Sequence, residues 1–357
     1  MRVKNRYMKA AVYCGIRDIK LREVLTPQIN DREVLVKNRA AALCGTDLRI
    51  YNYGHPKIPS GKEVILGHEL AGDVVEVGDK VLNVKKGMRV TVASNIGCGK
   101  CYLCLQGFFH LCNNYEAIGL TYDGGFSEYL KVPEQAVQQG AILEIPDTLS
   151  YEEAALTEPM ACVYNGFTRC PAEPGDIVII FGAGPIGIMH IIMTRLAGAS
   201  KIIVSEISEE RLKKAKDFGA DVLINSQVQN LEKEIYNETG GKGANLIITA
   251  CPSAEAQKIA PRLSSIHGKI NFFGGLSKAR ANVNLNTNLI HYGELLVTGS
   301  HGSDTYHCKI ALDLQVSGKI NLKPLVTNKF PLDQIKQAFE SALRGHGLKT
   351  IIYPDKS

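Results

Sequence analysis

Four of the ten cysteines in this 357-residue chain fall between Cys98 and Cys112, in the stretch GCGKCYLCLQGFFHLC that starts at Gly97. Their spacing is Cys98-x2-Cys101-x2-Cys104-x7-Cys112. A two-residue gap lets successive thiolates turn inward on one loop, and four sulfurs close the shell of a zinc ion with no open position. Such an ion is structural. An iron–sulfur cluster is the rival, although the bacterial ferredoxin run has a three-residue last gap followed by proline. A disulfide pair belongs to an oxidising compartment, to which nothing else in the sequence points. Cys14, Cys162, Cys170, Cys251 and Cys308 read as small buried hydrophobes, and Cys44 is set apart by its neighbours.

Those neighbours form the first of three short strings, CGTD from Cys44 to Asp47. The others are GHE, from Gly67 to Glu69, and TEP, from Thr157 to Pro159. Each alone is weak, and a lone histidine near an apolar run is more often a core residue. Together they supply a soft thiolate (Cys44), an imidazole (His68) and two carboxylates (Glu69 and Glu158). That is the donor set of an open zinc site with room for a substrate oxygen.

A third chemistry is carried by DIVIIFGAGPIGIMHIIMTRLAGA, Asp176 to Ala199. An apolar run, Ile177 to Phe181, predicts a buried parallel strand. It leads into Gly182-Ala183-Gly184-Pro185-Ile186-Gly187 and then an apolar helix, the setting a G-x-G-x-x-G dinucleotide loop requires. Gly182 allows the tight turn, Gly184 lets the backbone approach a pyrophosphate, and Gly187 packs the helix close to the strand. The helix N-terminus offers amide hydrogens and positive dipole to the phosphates. Glu206 ends the next strand, where it would accept bonds from the ribose hydroxyls and repel a 2′-phosphate. NAD is therefore expected ahead of NADP. Arg211, one helical turn on, is the residue that argues the other way.

The elements that must position these residues divide the chain. From Asp176 onward, apolar runs alternate with amphipathic helices, as a doubly wound parallel sheet requires, and six strands are expected. Gly274 and Ser300 fall at strand C-termini, where such sheets bind ligands. In the first 150 residues, EVLVKNRAAAL, LAGDVVEVG, MRVTVA and GGFSEYLKVP are short strand patterns cut by Gly and Pro, as in an antiparallel barrel. Ser150 and Glu153 have capping-box spacing and open the helix that crosses to the sheet. The tail, ending LKTIIYP, is expected to close back on the first domain. The expected division is residues 1–156 for a catalytic barrel with its metal lobe at 97–113, 157–299 for the dinucleotide domain, and 300–357 for the returning segment.

Composition limits the partners. The formal charge of +5 is a weak excess on this length, and no basic run is dense enough to suggest nucleic acid. No apolar run is long enough to span a membrane, and the first residues lack the apolar core of a signal peptide. A cytoplasmic setting with free or metal-bound thiols is expected.

CGTD, GHE, the four-cysteine lobe, GGFSEY, EP and GAGPIG follow one another as in the zinc-dependent medium-chain dehydrogenase/reductase family, which the chain resembles over nearly its whole length. Within it the chain is most similar to sorbitol-type polyol dehydrogenases and L-threonine 3-dehydrogenases. The resemblance implies an α/β fold, with a Rossmann nucleotide domain and a GroES-like antiparallel β-barrel. It implies two zinc ions per subunit, a catalytic one on Cys44 and His68 with Glu69 and Glu158 as candidates for the remaining places, and a structural one on the four clustered cysteines. Asp47 would orient a ligand or cap a helix. Thr46 would take the substrate's hydroxyl proton, and hydride would pass to the nicotinamide. A homodimer or homotetramer is implied, paired through an edge strand such as that near ELLVTGS.

Two departures bear on the substrate. Many relatives carry a relay histidine where Arg49 stands, and arginine cannot exchange protons near neutrality. Arg49 is suited to an anion, either the cofactor's pyrophosphate or a phosphorylated sugar alcohol. Asn95 replaces a histidine usual in the threonine enzymes. The expected activity is oxidation of a secondary alcohol of a polyol (sorbitol, iditol or galactitol type, with a phosphorylated form included) by NAD. L-Threonine 3-dehydrogenase, acting on an amino alcohol, is the alternative, and a non-catalytic zinc and dinucleotide protein is the reading from another class.

Overall fold

The computed structural model describes residues 7–277 and 281–355. Two compact units emerge: Met1–Ala161 with Gly302–Ser357, and Cys162–His301. The chain changes unit within the helix Thr157–Arg169.

The first unit is built on a seven-stranded sheet. Its order is Ile142–Glu144, Arg89–Val92, Glu69–Val77, Val34–Ala42, Lys349–Tyr353 and Val326–Pro331, with Tyr129–Val132 also paired to Val34–Ala42. A three-stranded sheet, Asp18–Leu25, Tyr7–Gly15 and Val64–Ile65, accompanies it, so the expected barrel is realised as two sheets. Val34–Ala42 is central and mostly buried, which its Val, Leu and Ala content permits. Its one awkward residue, the fully buried Asn38, donates from Nδ2 to the Ser127 carbonyl at 2.8 Å. The returning strand Lys349–Tyr353 pairs antiparallel with Val34–Ala42, setting Ile351 opposite Ala42. The last residues thereby complete a sheet begun some three hundred positions earlier.

Ser150 and Glu153 form the capping box expected of them, at the start of the helix Tyr151–Ala155. A second capping box opens the helix Thr305–Val316, where Asp304 is the N-cap and His307 the third residue. Asp304 Oδ1 lies 2.9 Å from His307 Nδ1, and Oδ2 lies 3.4 Å from Nδ1 of His110 in the cysteine lobe. All three side chains are buried, so the returning segment is tied to the lobe through one carboxylate. Burial works against that charge, but the two imidazoles outweigh it and hold Asp304 well below the usual carboxylate range.

The second unit carries a six-stranded parallel sheet. Its order is Val222–Asn225, Lys201–Glu206, Ile177–Phe181, Ala244–Thr249, Ser264–Phe272 and Leu296–Gly299. Ile177–Phe181 pairs on both edges, and its residues 178–181 are buried, as a continuous Val/Ile run predicts. Helices alternate with the strands throughout. Pro261 sits near the end of the helix Ala254–Leu263, where only a terminal turn suffers for its missing N–H. Leu296–Gly299 is an edge strand. Among the described residues no helix is long and apolar enough to cross a membrane.

Candidate catalytic metal centre and dinucleotide site

Cys44, His68 and Glu69 each bring a ligand atom within 4.8 Å of the others. The backbone explains how. Cys44 ends the loop after Val34–Ala42 and caps the helix Gly45–Tyr53, its Sγ accepting the Thr46 N–H at 3.4 Å. Asp47, the third residue of that helix, is fully buried and accepts the Cys44 N–H through Oδ2 at 2.9 Å. Its Oδ1 accepts the Gly67 N–H at 3.4 Å and lies 3.5 Å from His68 Nδ1. The two roles open for Asp47 in the sequence thus coincide, since it caps the helix and faces the imidazole at once. With Nδ1 turned to Asp47, Nε2 is the nitrogen left to bind an ion. Gly67 has φ of +94°, and a Cβ there would meet the Phe126 ring at 2.9 Å, so the turn that presents His68 needs glycine.

Burial would depress the His68 pKa, but the Asp47 carboxylate and then Cys44 overcome it and raise it well above its ordinary value. A divalent cation at this point would invert that balance. The donor set suits one: a soft sulfur, an imidazole already oriented by a carboxylate, and an anionic oxygen.

Lys349 is the functional residue that sequence reasoning missed. Its buried ammonium donates to both Glu69 oxygens. Burial pulls its pKa down, but Glu69, Cys44 and Glu158 raise it further. The ammonium therefore lies within electrostatic reach of all three anionic candidates. Glu158, also buried, lies in the first turn of Thr157–Arg169 and lies outside the tight trio. A lysine inside LKTIIYP carries no local signal of this role, because the strand's partner decides what it faces.

The cysteine lobe satisfies the geometry of a closed zinc shell. Cys98 and Cys104 sulfurs are 3.9 Å apart, and those of Cys101 and Cys112 3.8 Å. Zn–S bonds of about 2.3 Å put tetrahedral sulfurs about 3.8 Å from one another. The Lys100 and Cys101 amides lower the Cys98 thiol to about 6, favouring the thiolate a metal needs. Gly97 is required there, because a Cβ would stand 2.6 Å from Cys104 Sγ. Of the cysteines expected to be buried, Cys170 and Cys308 are, but Cys14, Cys162 and Cys251 are only half-buried. Cys14 is the next-to-last residue of the strand Tyr7–Gly15.

In the second unit each loop glycine meets a distinct demand. Gly182 has φ of +98° and Gly187 would drive a Cβ to 1.9 Å from the Gly182 carbonyl oxygen. Gly184 has nothing within 4 Å, leaving the backbone open above the helix Pro185–Leu196, whose first residues are Pro185 and Ile186. This fits a bound pyrophosphate. Glu206 accepts the Ala183 N–H at 2.8 Å through Oε2 and the Ile207 N–H at 2.7 Å through Oε1, which holds its carboxylate against the loop. Arg211 is the third residue of the helix Glu209–Asp217 that follows, its N–H donating to the Ser208 cap. Gly274 permits close approach to the Cys251 carbonyl, where a Cβ would stand 2.3 Å away, and Ser300 Oγ donates to Asn271 at 3.1 Å.

Residues 30–146 match the alcohol dehydrogenase GroES-like domain, and residues 185–317 the zinc-binding dehydrogenase domain. Sorbitol dehydrogenase of Bacillus subtilis is 34% identical over 355 residues, 98% of each chain. The chain belongs to the zinc-dependent medium-chain dehydrogenase family. L-Threonine 3-dehydrogenase of Pyrococcus furiosus is similarly related to this dehydrogenase, at 35% over 337 residues, 93% of this chain and 94% of the other. A zinc-binding dehydrogenase of Sinorhizobium meliloti, solved with NADP, superposes with a TM-score of 0.90 at 31% identity, covering 98% of this chain and all of its own. The dehydrogenase is thus a zinc-dependent alcohol dehydrogenase of α/β fold, acting on small-molecule alcohols.

Proposed function

We propose that this dehydrogenase oxidises a secondary alcohol of a polyol to the ketone, with NAD as hydride acceptor. The observation that carries the reading is the convergence of Cys44, His68 and Glu69 within 4.8 Å, with the Thr46 N–H bonded to Cys44 Sγ at 3.4 Å. When bound, zinc supplies Lewis-acid polarisation of the carbinol oxygen and NAD removes hydride.

The chain's own residues do the rest. Cys44 and His68 hold the ion, and Asp47 fixes both by bonding the Cys44 amide and facing His68. Lys349 engages Glu69 at both oxygens, and Glu69 and Glu158 are the candidates that would fill the remaining place. Thr46 Oγ1 accepts from Arg49 Nη2 at 3.5 Å. The other Oγ1 lone pair is left to accept the substrate's hydroxyl proton, and the Thr46 hydrogen to pass outward to water. Arg49 cannot carry the proton onward. Cys98, Cys101, Cys104 and Cys112 hold the second, structural ion.

NAD is favoured over NADP because the Glu206 carboxylate, pinned at the Gly loop, opposes a 2′-phosphate. Gly182, Gly184, Gly187, Gly274 and Ser300 line the strand ends where the dinucleotide is proposed to bind, and Arg211 is the residue whose charge would favour NADP. The domain limits 1–156, 157–299 and 300–357, a cytoplasmic setting, and a homodimer or homotetramer through the edge strand Leu296–Gly299 belong to the same proposal.

The test is NADH formation, followed by absorbance, with sorbitol, xylitol, galactitol and L-threonine, each against NAD and NADP. Polyol turnover with NAD is expected. Threonine turnover without polyol turnover would replace the reading with L-threonine 3-dehydrogenase, which similarity to the Pyrococcus enzyme keeps in view and Asn95, in place of a histidine, disfavours.

A further inference from the structure

Two cations, one in the helix that Cys44 caps and one just after it, make no ion pair among the described residues. Arg49, on the exposed side of the helix Gly45–Tyr53, reaches Thr46 Oγ1 at 3.5 Å and makes no ion pair among the described residues. Lys57 follows in the tight turn His55–Ile58 and is also without an ion pair there. Its ammonium lies 4.0 Å from the centre of the Tyr115 ring and donates to the Tyr115 carbonyl. Arg39 shows what this chain does with an arginine kept for structure, since it is clamped between Asp73 and Asp355 at 2.6 Å each.

His55 and Tyr115 join the two cations in one cluster. The Lys57 N–H donates to His55 Nδ1 at 3.2 Å, so the neutral ring carries its proton on Nε2 and presents a donor. Burial, then Arg49, then Lys57 push the His55 pKa down, which keeps the ring neutral and places both cations close to it. Arg49 also acts on the Tyr115 phenol, whose pKa burial raises, with Glu116 reinforcing that rise. Two permanent cations, a neutral imidazole N–H and a phenol converge beside the helix that carries Cys44 and Thr46.

We propose that the substrate is a phosphorylated polyol, whose phosphate monoester is gripped by Arg49 and Lys57 with His55 as a further donor, while its carbinol end lies at Cys44, His68 and Thr46. This rests on the polyol reading above. A guanidinium offers forked donors and an ammonium a compact charge, and both bind phosphate oxygens through short charge-assisted bonds. The dinucleotide's own phosphates are proposed to bind at the Gly182–Gly187 turn.

The experiment compares kcat/KM for sorbitol against sorbitol 6-phosphate and xylitol against xylitol 5-phosphate, with inorganic phosphate as a competitor of the unphosphorylated polyol. The expected preference for the phosphate ester is about ten-fold or more, expressed in KM. Arg49→Gln and Lys57→Gln should each cut that preference about ten-fold, Arg49→Lys should keep part of it, and the double variant should lose competition by inorganic phosphate. Equal kcat/KM for ester and parent, with no competition by phosphate, overturns the proposal while leaving the polyol reading intact. A raised NAD dissociation constant in Arg49→Gln with the ester preference unchanged assigns Arg49 to the cofactor and also overturns it. Turnover of L-threonine alone removes both readings.

Discussion

The Lys349 ammonium donates to both oxygens of Glu69, and the pair is buried beside Cys44. One partner lies in the returning strand Lys349–Tyr353 and the other at the start of Glu69–Val77, two strands joined only through Val34–Ala42. A candidate zinc ligand is thus restrained by a charge from the far end of the chain. Breaking a buried pair by removing one member leaves an uncompensated charge, at a cost of about 3–5 kcal/mol.

Lys349→Met should therefore lower the urea-unfolding free energy of the chelator-stripped protein by about 3 kcal/mol. Added zinc should recover part of this loss, because the released carboxylate gains a cation. Lys349→Arg should stay close to wild type. A Lys349→Met protein as stable as wild type without metal would show that the pair contributes nothing.

The two proposed metals should be separable. Cys44→Ser should abolish turnover, leave the circular dichroism spectrum unchanged and drop elemental zinc from two equivalents to one. Cys104→Ser should remove the other equivalent and lower thermal stability, since the lobe's short helix and turns have little apolar packing of their own. Retained activity in Cys44→Ser would displace the assigned centre.

The loop glycines predict opposite outcomes for similar changes. Gly184 has open space, so Gly184→Ala should fold normally yet weaken NADH binding, by roughly ten-fold in fluorescence titration, because the new methyl occupies the approach of the phosphates. Gly187→Ala should destabilise the unit itself, because its Cβ would stand 1.9 Å from the Gly182 oxygen. Equal melting temperatures for the two variants would contradict this distinction.

His190 is fully enclosed in the helix Pro185–Leu196, edge-on to Phe273 at 4.7 Å, and burial lowers its pKa to about 3. The unfolded chain protonates this ring near 6.5 and the folded chain does not. Stability from this group is thus complete above about pH 6.5 and declines as pH falls toward 3, at up to about 1.4 kcal/mol per pH unit. His190→Phe should flatten that acid limb in melting curves taken from pH 7 to 4. An unchanged limb would mean another group dominates it.

Local spacing settled much of this protein. The four-cysteine loop, the Gly182–Gly187 turn with its strand and helix, and the Ser150–Glu153 cap are each contained within a few residues, so sequence distance stands in for spatial distance. The alternation of strand and helix after Asp176 likewise announced a parallel sheet, because such strands require crossover helices. Tertiary structure alone decided which charges meet. Lys349 reaches Glu69 across 280 positions, Asp304 joins His110 to His307, and Lys57 comes to lie against Tyr115. A lysine in a strand has the same local signature whether it faces water or a buried carboxylate. Only the register of the neighbouring strand, set by packing of the whole sheet, determines the side chain's partner and hence its role.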